Sequence, residues 1–143
     1  MSCIEEKVIL ITGASSGFGM VTAKKCVEHG AKVILGARRE DRLKELCESL
    51  GTNNATFMAT DVTKKEDLNN LANHGINIFG RIDSLVNNAG IMPLSFIEQG
   101  RTDEWDQMID VNIKGVLYAI DAVYSHMMER GSGQIINISS VAG

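Results

Sequence analysis

The sequence predicts an α/β fold, a doubly wound parallel sheet of about five strands with helices on both faces. Three observations carry that expectation. Short apolar, partly β-branched runs alternate with helical patterns along the whole chain. The first, second and fifth of these runs are continuously apolar, as strands covered on both faces must be. A glycine-studded turn, "TGASSGFG" (12–19), joins the first run to the first helical pattern.

The strands are expected at "KVILIT" (7–12), "KVILGA" (32–37), "ATFMAT" (55–60), "IDSLVNN" (82–88) and "GQIINISS" (133–140). Helices are expected between them at 17–29, 40–50, 64–78 and 102–129. In the second, Leu43, Leu46, Cys47 and Leu50 fall on one face at helical spacing, and Glu40 stands one turn from Lys44 as an ion-pair partner. The third opens with Thr63-Lys-Lys-Glu66, the spacing of a capping box. In the fourth, Trp105, Met108, Ile109, Asn112, Val116, Ala119, Ile120 and Val123 share one stripe. Alternation of this kind gives parallel strands joined by right-handed crossovers. There is no internal repeat, low-complexity stretch or linker, so the chain reads as one unit.

Composition excludes several classes. With 143 residues, 44% hydrophobic, 22% charged and one proline, the chain has the make-up of a soluble globular domain. A formal charge of −4 argues against nucleic acid or an anionic membrane as partner. No apolar run reaches membrane-spanning length, and the start "MSCIEEK" is too acidic and short for a secretory signal. Cys3, Cys26 and Cys47 form no C-x-x-C pair, which fits reduced thiols in a cytoplasm. His29, His74 and His126 are scattered singly, read as surface or capping residues, and no metal site is expected.

The turn at 12–19 holds three glycines, where a tight turn needs one. Gly13 permits a sharp exit from the strand, Gly17 lets main chain approach a pyrophosphate, and Gly19 allows close packing of helix and strand. Ser15 and Ser16 add hydroxyl groups suited to phosphate oxygens, and the helix start behind them directs N–H groups at an anion. A plain glycine-rich turn is the competing reading. The spacing lacks the Gly-Lys-Ser/Thr ending of a nucleoside-triphosphate loop.

Taken together, "TGASSGFG", "NNAG" (87–90), "DVN" (110–112) and "NISSVAG" (137–143) resemble the short-chain dehydrogenase/reductase family, in the right order and spacing. The resemblance implies a Rossmann-like fold and hydride transfer between a nicotinamide dinucleotide and a small secondary alcohol, ketone or aldehyde. It implies that Phe18, within the loop, joins Gly13, Ser15, Ser16, Gly17 and Gly19 in holding the cofactor. Asp61 and the main chain of Val62 would contact adenine, and Asn88 and Gly90 would wall the cofactor. Asn87, a buried amide that needs partners, instead reads as a tie between strands. Asn112 would hold a water in the proton relay, against the alternative of a structural amide that bonds main chain. Gly115, just after it, would ease an irregularity in that helix. Ser140 would bond the substrate oxygen, with Ser139 only its neighbour. Ile91, Met92, Pro93 and Leu94 read either as an apolar side of the substrate pocket or as packing.

Cofactor preference follows from charge. The second strand ends in Gly36-Ala37-Arg38-Arg39, with no carboxylate until Glu40. A carboxylate there would bind a ribose 2′-hydroxyl, whereas Arg38 can bind a 2′-phosphate and Arg39 can assist. NADP(H) is therefore expected ahead of NAD(H). The family's Y-x-x-x-K pair does not occur: Tyr118 and Tyr124 are followed four places on by Ala122 and Met128. Residues 1–143 are accordingly expected to be the dinucleotide-binding portion of a longer oxidoreductase, without turnover alone and with the long helix serving a homo-oligomer. A non-catalytic dinucleotide sensor on the same fold is the alternative, and a methyltransferase fits poorly.

Overall fold

A computed structural model of the chain describes residues 3–141. Five parallel strands lie in the order β3-β2-β1-β4-β5. Along the chain these are β1 (Val8–Thr12), β2 (Lys32–Ala37), β3 (Ala55–Ala59), β4 (Ser84–Asn87) and β5 (Gln134–Asn137). The helices are α1 (Gly17–Glu28), α2 (Glu40–Leu50), α3 (Lys65–Phe79), α4 (Thr102–Ile109) and α5 (Gly115–Arg130). A π-helical turn, Asp110–Lys114, joins α4 to α5, and a 3-10 turn occupies Ile97–Gln99.

The central strand β1 pairs with β2 on one side and β4 on the other, placing Ile9 opposite both Val33 and Ser84. Its side chains alternate between two layers. Ile9 and Ile11 pack with Val33, Leu35 and Val86 under Ala23 of α1 and Leu43 and Leu46 of α2. Val8 and Leu10 pack with Ile34 and Leu85 under Leu68 and Leu71 of α3 and Ala119 and Val123 of α5. All five residues of β1 are buried, which is why Val8–Ile11 are continuously apolar rather than apolar at alternate positions. Each fully buried Leu or Ile here contributes about 1.5–3 kcal/mol.

Several local expectations change. The third helix has Lys64 at its N-cap with no side-chain cap, and Thr63 instead donates its hydroxyl to Asp61 Oδ1 at 2.7 Å. Glu40 and Lys44 form no ion pair. The long helix is interrupted by the π-turn, whose extra residue per turn rotates the apolar stripe. Gly115, Ala119, Val123 and Met127 face inward as a result, while Trp105, Ile109 and Asn112 of the expected stripe are exposed. Gly115 follows the irregularity directly, and a Cβ there would come 2.9 Å from Val62 Cγ2.

At the sheet edge, Ile135 and Ile136 of β5 remain 37% and 39% exposed, so this apolar run is not covered on both faces. His29 bonds the Lys25 carbonyl at the end of α1, but His74 and His126 make long-range bonds, to Thr56 Oγ1 and from the Ile82 N–H. They are half-buried ties rather than surface or capping groups. Cys26 and Cys47 are buried and Cys3 exposed, all as free thiols. Among the described residues no helix is long and apolar enough to cross a membrane, and no cluster of ligating side chains is placed to hold a metal.

Candidate functional site

The chain runs from β1 to β2 and β3 on one side and then crosses from β3 to β4 on the other, so the strand order reverses beside β1. Crevices form at such a switch point, beyond the carboxyl ends of the strands. An open cleft of about 880 Å³ lies there, walled by the loops after β1, β2, β3 and β4 and by the end of α4 with the π-turn.

Buried Thr12 builds the root of the glycine loop. Its Oγ1 accepts from the N–H groups of Asn88 and Ala89, each at 3.1 Å. The Asn88 amide answers by donating to the carbonyls of Thr12 (3.1 Å) and Gly13 (3.2 Å). The three glycines then have three separate causes. Gly13 has φ +67°, and a Cβ on it would stand 2.8 Å from Ala89 Cα. A Cβ on Gly19 would stand 2.5 Å from both Asn88 Nδ2 and the Gly13 oxygen, so the close neighbour is the Asn88 clasp as well as the loop itself. Gly17 has φ +54° but meets nothing within 4 Å. Its backbone conformation, not packing, calls for glycine there.

Gly13, Ser15, Ser16 and Phe18 line the cleft from this loop, with Phe18 83% exposed. Helix α1 begins at its rim with Ser16 as N-cap, no side-chain cap and no acid in the first turn. Unopposed N–H groups of this kind favour an anion. Arg38 and Arg39 line the facing wall. Arg39 Nη2 donates to Ser16 Oγ at 2.8 Å and Ser15 Oγ at 3.2 Å, whereas Arg38 makes no side-chain hydrogen bond to another described residue.

Asp61 and Val62 complete that wall. Partial burial raises the Asp61 carboxyl, but hydrogen bonds from Thr63, with Lys64 and Arg38 nearby, hold it below the ordinary aspartate value. Its N–H donates to Asp67 Oδ2 at 2.9 Å, fixing the turn into α3. Val62 is buried against Gly115 and so turns its side chain into the core.

Asn88 and Gly90 line the opposite wall. Asn112 is exposed yet bonded through both amide atoms: its Oδ1 accepts from the Ile91 N–H at 2.9 Å and its Nδ2 donates to the Ile91 carbonyl at 2.7 Å. It therefore ties the π-turn to the segment after β4 from just outside the cleft lining. Of Ile91, Met92, Pro93 and Leu94, only Ile91 reaches the lining. Asn87 is buried and donates to Asn137 Oδ1 at 2.9 Å, a strand-to-strand tie. Ser139 and Ser140 are exposed past the end of β5, outside the cleft lining, and the last two residues of "NISSVAG" fall outside the described residues. Sequence reasoning passed over Thr12, which anchors the loop, and cleft-lining residues that include Thr60, Ala89 and Gln107. Thr12 carried a signal, being a polar residue that closes a strand buried at every position.

A model of the short chain dehydrogenase family matches residues 7–143. The chain belongs to the short-chain dehydrogenase family. It is 53% identical to an uncharacterized oxidoreductase of Staphylococcus saprophyticus, over all of this chain and 58% of that protein. An uncharacterized oxidoreductase of Listeria monocytogenes is 49% identical over 98% of this chain and 57% of its own length. Among solved structures, a serine dehydrogenase complexed with NADP+ superposes with a TM-score of 0.89 at 37% identity, covering 95% of this chain and 55% of that one. A short-chain dehydrogenase/reductase of Burkholderia phymatum in complex with NAD gives 0.92 at 30% identity, covering 99% and 52%. The chain thus spans less than two thirds of the length of these relatives. The fold of this family binds nicotinamide dinucleotides, and complexes with NADP+ and with NAD occur among the chain's structural neighbours.

Proposed function

We propose that the chain forms the NADP(H)-binding part of an oxidoreductase that interconverts a secondary alcohol and a ketone or aldehyde. The observation that carries this reading is Arg38. It stands on the cleft wall without a side-chain hydrogen bond to another described residue, at the end of a strand that offers no carboxylate. The bound coenzyme supplies a nicotinamide carbon that gives or takes hydride. The residues present fit such a group, because the uncapped start of α1 and the Ser15 and Ser16 hydroxyls border the cleft and can meet an anion. In this reading the loop holds the pyrophosphate through main chain and the Ser15 and Ser16 hydroxyls, Arg38 takes the 2′-phosphate, and Asp61 and Val62 border the adenine. Phe18, Asn88 and Gly90 wall the nicotinamide side.

Asn112 then fixes the Ile91 main chain beside the reacting region, and Ser140 bonds the substrate oxygen, stabilising charge as hydride moves. No tyrosine in the chain has a lysine four residues on, so proton transfer is assigned to none of its residues, and residues 1–143 alone are expected to bind coenzyme without turnover. Exposed Ile113, Leu117, Tyr124 and Met128 on the π-turn and α5 support a homo-oligomer, and three free thiols suit the cytoplasm.

Calorimetric titration tests the reading. NADPH is expected to bind more tightly than NADH, and Arg38→Ala to weaken NADPH about ten- to a hundredfold while leaving NADH nearly unchanged, as one lost charged hydrogen bond would. Equal losses for both would place the selectivity elsewhere, and no heat with either coenzyme would overturn the reading.

A further inference from the structure

We infer that Arg39 is a positioning residue, setting the tip of the glycine loop through Ser15 and Ser16 and leaving the 2′-phosphate to Arg38. The inference rests on the cleft being a dinucleotide site, and it adds a division of labour between two adjacent arginines.

The loop is held in two halves by different means. Its root, residues 12–14, is locked by the Asn88 amide on the Thr12 and Gly13 carbonyls and by the Ala14 N–H on the Gly36 carbonyl at 3.2 Å. Its tip has no such clasp. Ser16 is the N-cap of α1 but its hydroxyl caps nothing, and the side-chain bonds to Ser15 and Ser16 both come from Arg39. Gly17, in the left-handed region, leaves this tip without intrinsic preference for one conformation.

Their partners separate the two arginines. A guanidinium carries five N–H groups, two of them on each amino nitrogen. Arg39 Nη2 directs both of its own at serine oxygens, which turns that edge of the guanidinium toward the loop. Because the serine oxygens accept, their own O–H groups are free to donate, and a cationic donor behind a hydroxyl strengthens that donation. Arg39 also bridges the loop after β1 and the end of β2, 23 and 24 residues apart, where it is the N-cap of α2. Arg38, one residue away, lines the cleft without such bonds.

The test compares Arg39→Ala, Arg39→Lys, a Ser15→Ala/Ser16→Ala double variant and the triple variant with Arg39→Ala, each titrated calorimetrically with NADPH and NADH. Arg39→Ala is expected to weaken both coenzymes by the same factor, about three- to tenfold, at unchanged stoichiometry. The NADPH-to-NADH preference therefore stays, and Arg39→Lys regains part of the affinity through its single ammonium. Adding Arg39→Ala to the serine double variant should change nothing further. A loss confined to NADPH, or a further loss in the absence of the serines, would mean that Arg39 touches the coenzyme and would overturn the inference. A fall in stoichiometry at constant affinity would overturn it too, as support of the fold alone. Wild-type protein that binds neither coenzyme is a separate result, which removes the dinucleotide reading itself.

Discussion

The two ends of the sheet use polar groups in opposite ways. At the amino end, Asp83 is buried beside β1 and has a partner for each oxygen. Oδ2 accepts from the Val8 N–H at 2.9 Å and Arg81 Nε at 2.8 Å, and Oδ1 accepts from Arg130 Nη2 at 3.2 Å. Arg130 also reaches the Ile82 carbonyl, and the Ile82 N–H donates to His126 Nε2, tying α5 to the start of β4. At the carboxyl end, an uncapped helix start, two hydroxyls with spare protons and an exposed Arg38 border an open cleft. One end completes its hydrogen bonds within the protein, and the other leaves donors for something else. Stability is concentrated where the bonds close, and binding capacity where they do not.

The largest expected effect would break the closed end. Asp83→Ala strands the buried Val8 N–H and removes the carboxylate partner of two arginines, and should lower unfolding free energy by about 3 kcal/mol in urea titrations. Coenzyme affinity should stay within about twofold of wild type if the ends are independent, since distant sites without shared partners act additively. A parallel loss of binding would show that the ends are coupled. Next comes Gly19→Ala, whose Cβ must displace the Asn88 amide and the Gly13 carbonyl. It should cost about 1–3 kcal/mol of stability through overpacking and also weaken both coenzymes, a joint loss that Asp83→Ala should lack.

The smallest effect is acid sensitivity. Burial raises the Asp83 carboxyl, but the Val8 N–H and the two arginines more than reverse this, so its folded value lies below the ordinary one. Its contribution is complete above the unfolded aspartate value, near pH ~4. Below that the unfolded chain takes up the proton first, and the contribution disappears as the pH falls through the folded value. Melting temperature should therefore fall more steeply below about pH 4 in wild type than in Asp83→Ala. Equal slopes would show that Asp83 gains nothing from its partners.

How much of this was legible in the sequence depends on the range of the interaction involved. Strand and helix order was readable, because continuous apolar runs and helical spacing are local records of burial. The glycine loop was readable for the same reason, since a left-handed φ or a close approach excludes side chains at fixed positions. Misreadings arose where a competing partner or a backbone irregularity intervened. The Thr63 hydroxyl turns to Asp61 rather than capping α3. The stripe through Asn112 assumed one uninterrupted α-helix, and the π-turn rotated it. His74 and His126 looked like surface groups, and their partners lie 18 and 44 residues away.

By itself, the sequence determined the parallel α/β architecture, the glycine corner and the positive charge after β2, because each is written in residue types that local backbone and burial demand. Only the tertiary structure decided which polar groups meet. It put Thr12 and Asn88 into one clasp, gave Asn112 to the Ile91 main chain and set Arg39 on the two serines while leaving Arg38 open. Hydrogen bonds between segments far apart in sequence leave no periodic trace, so they become visible only when the sheet brings the strand ends together.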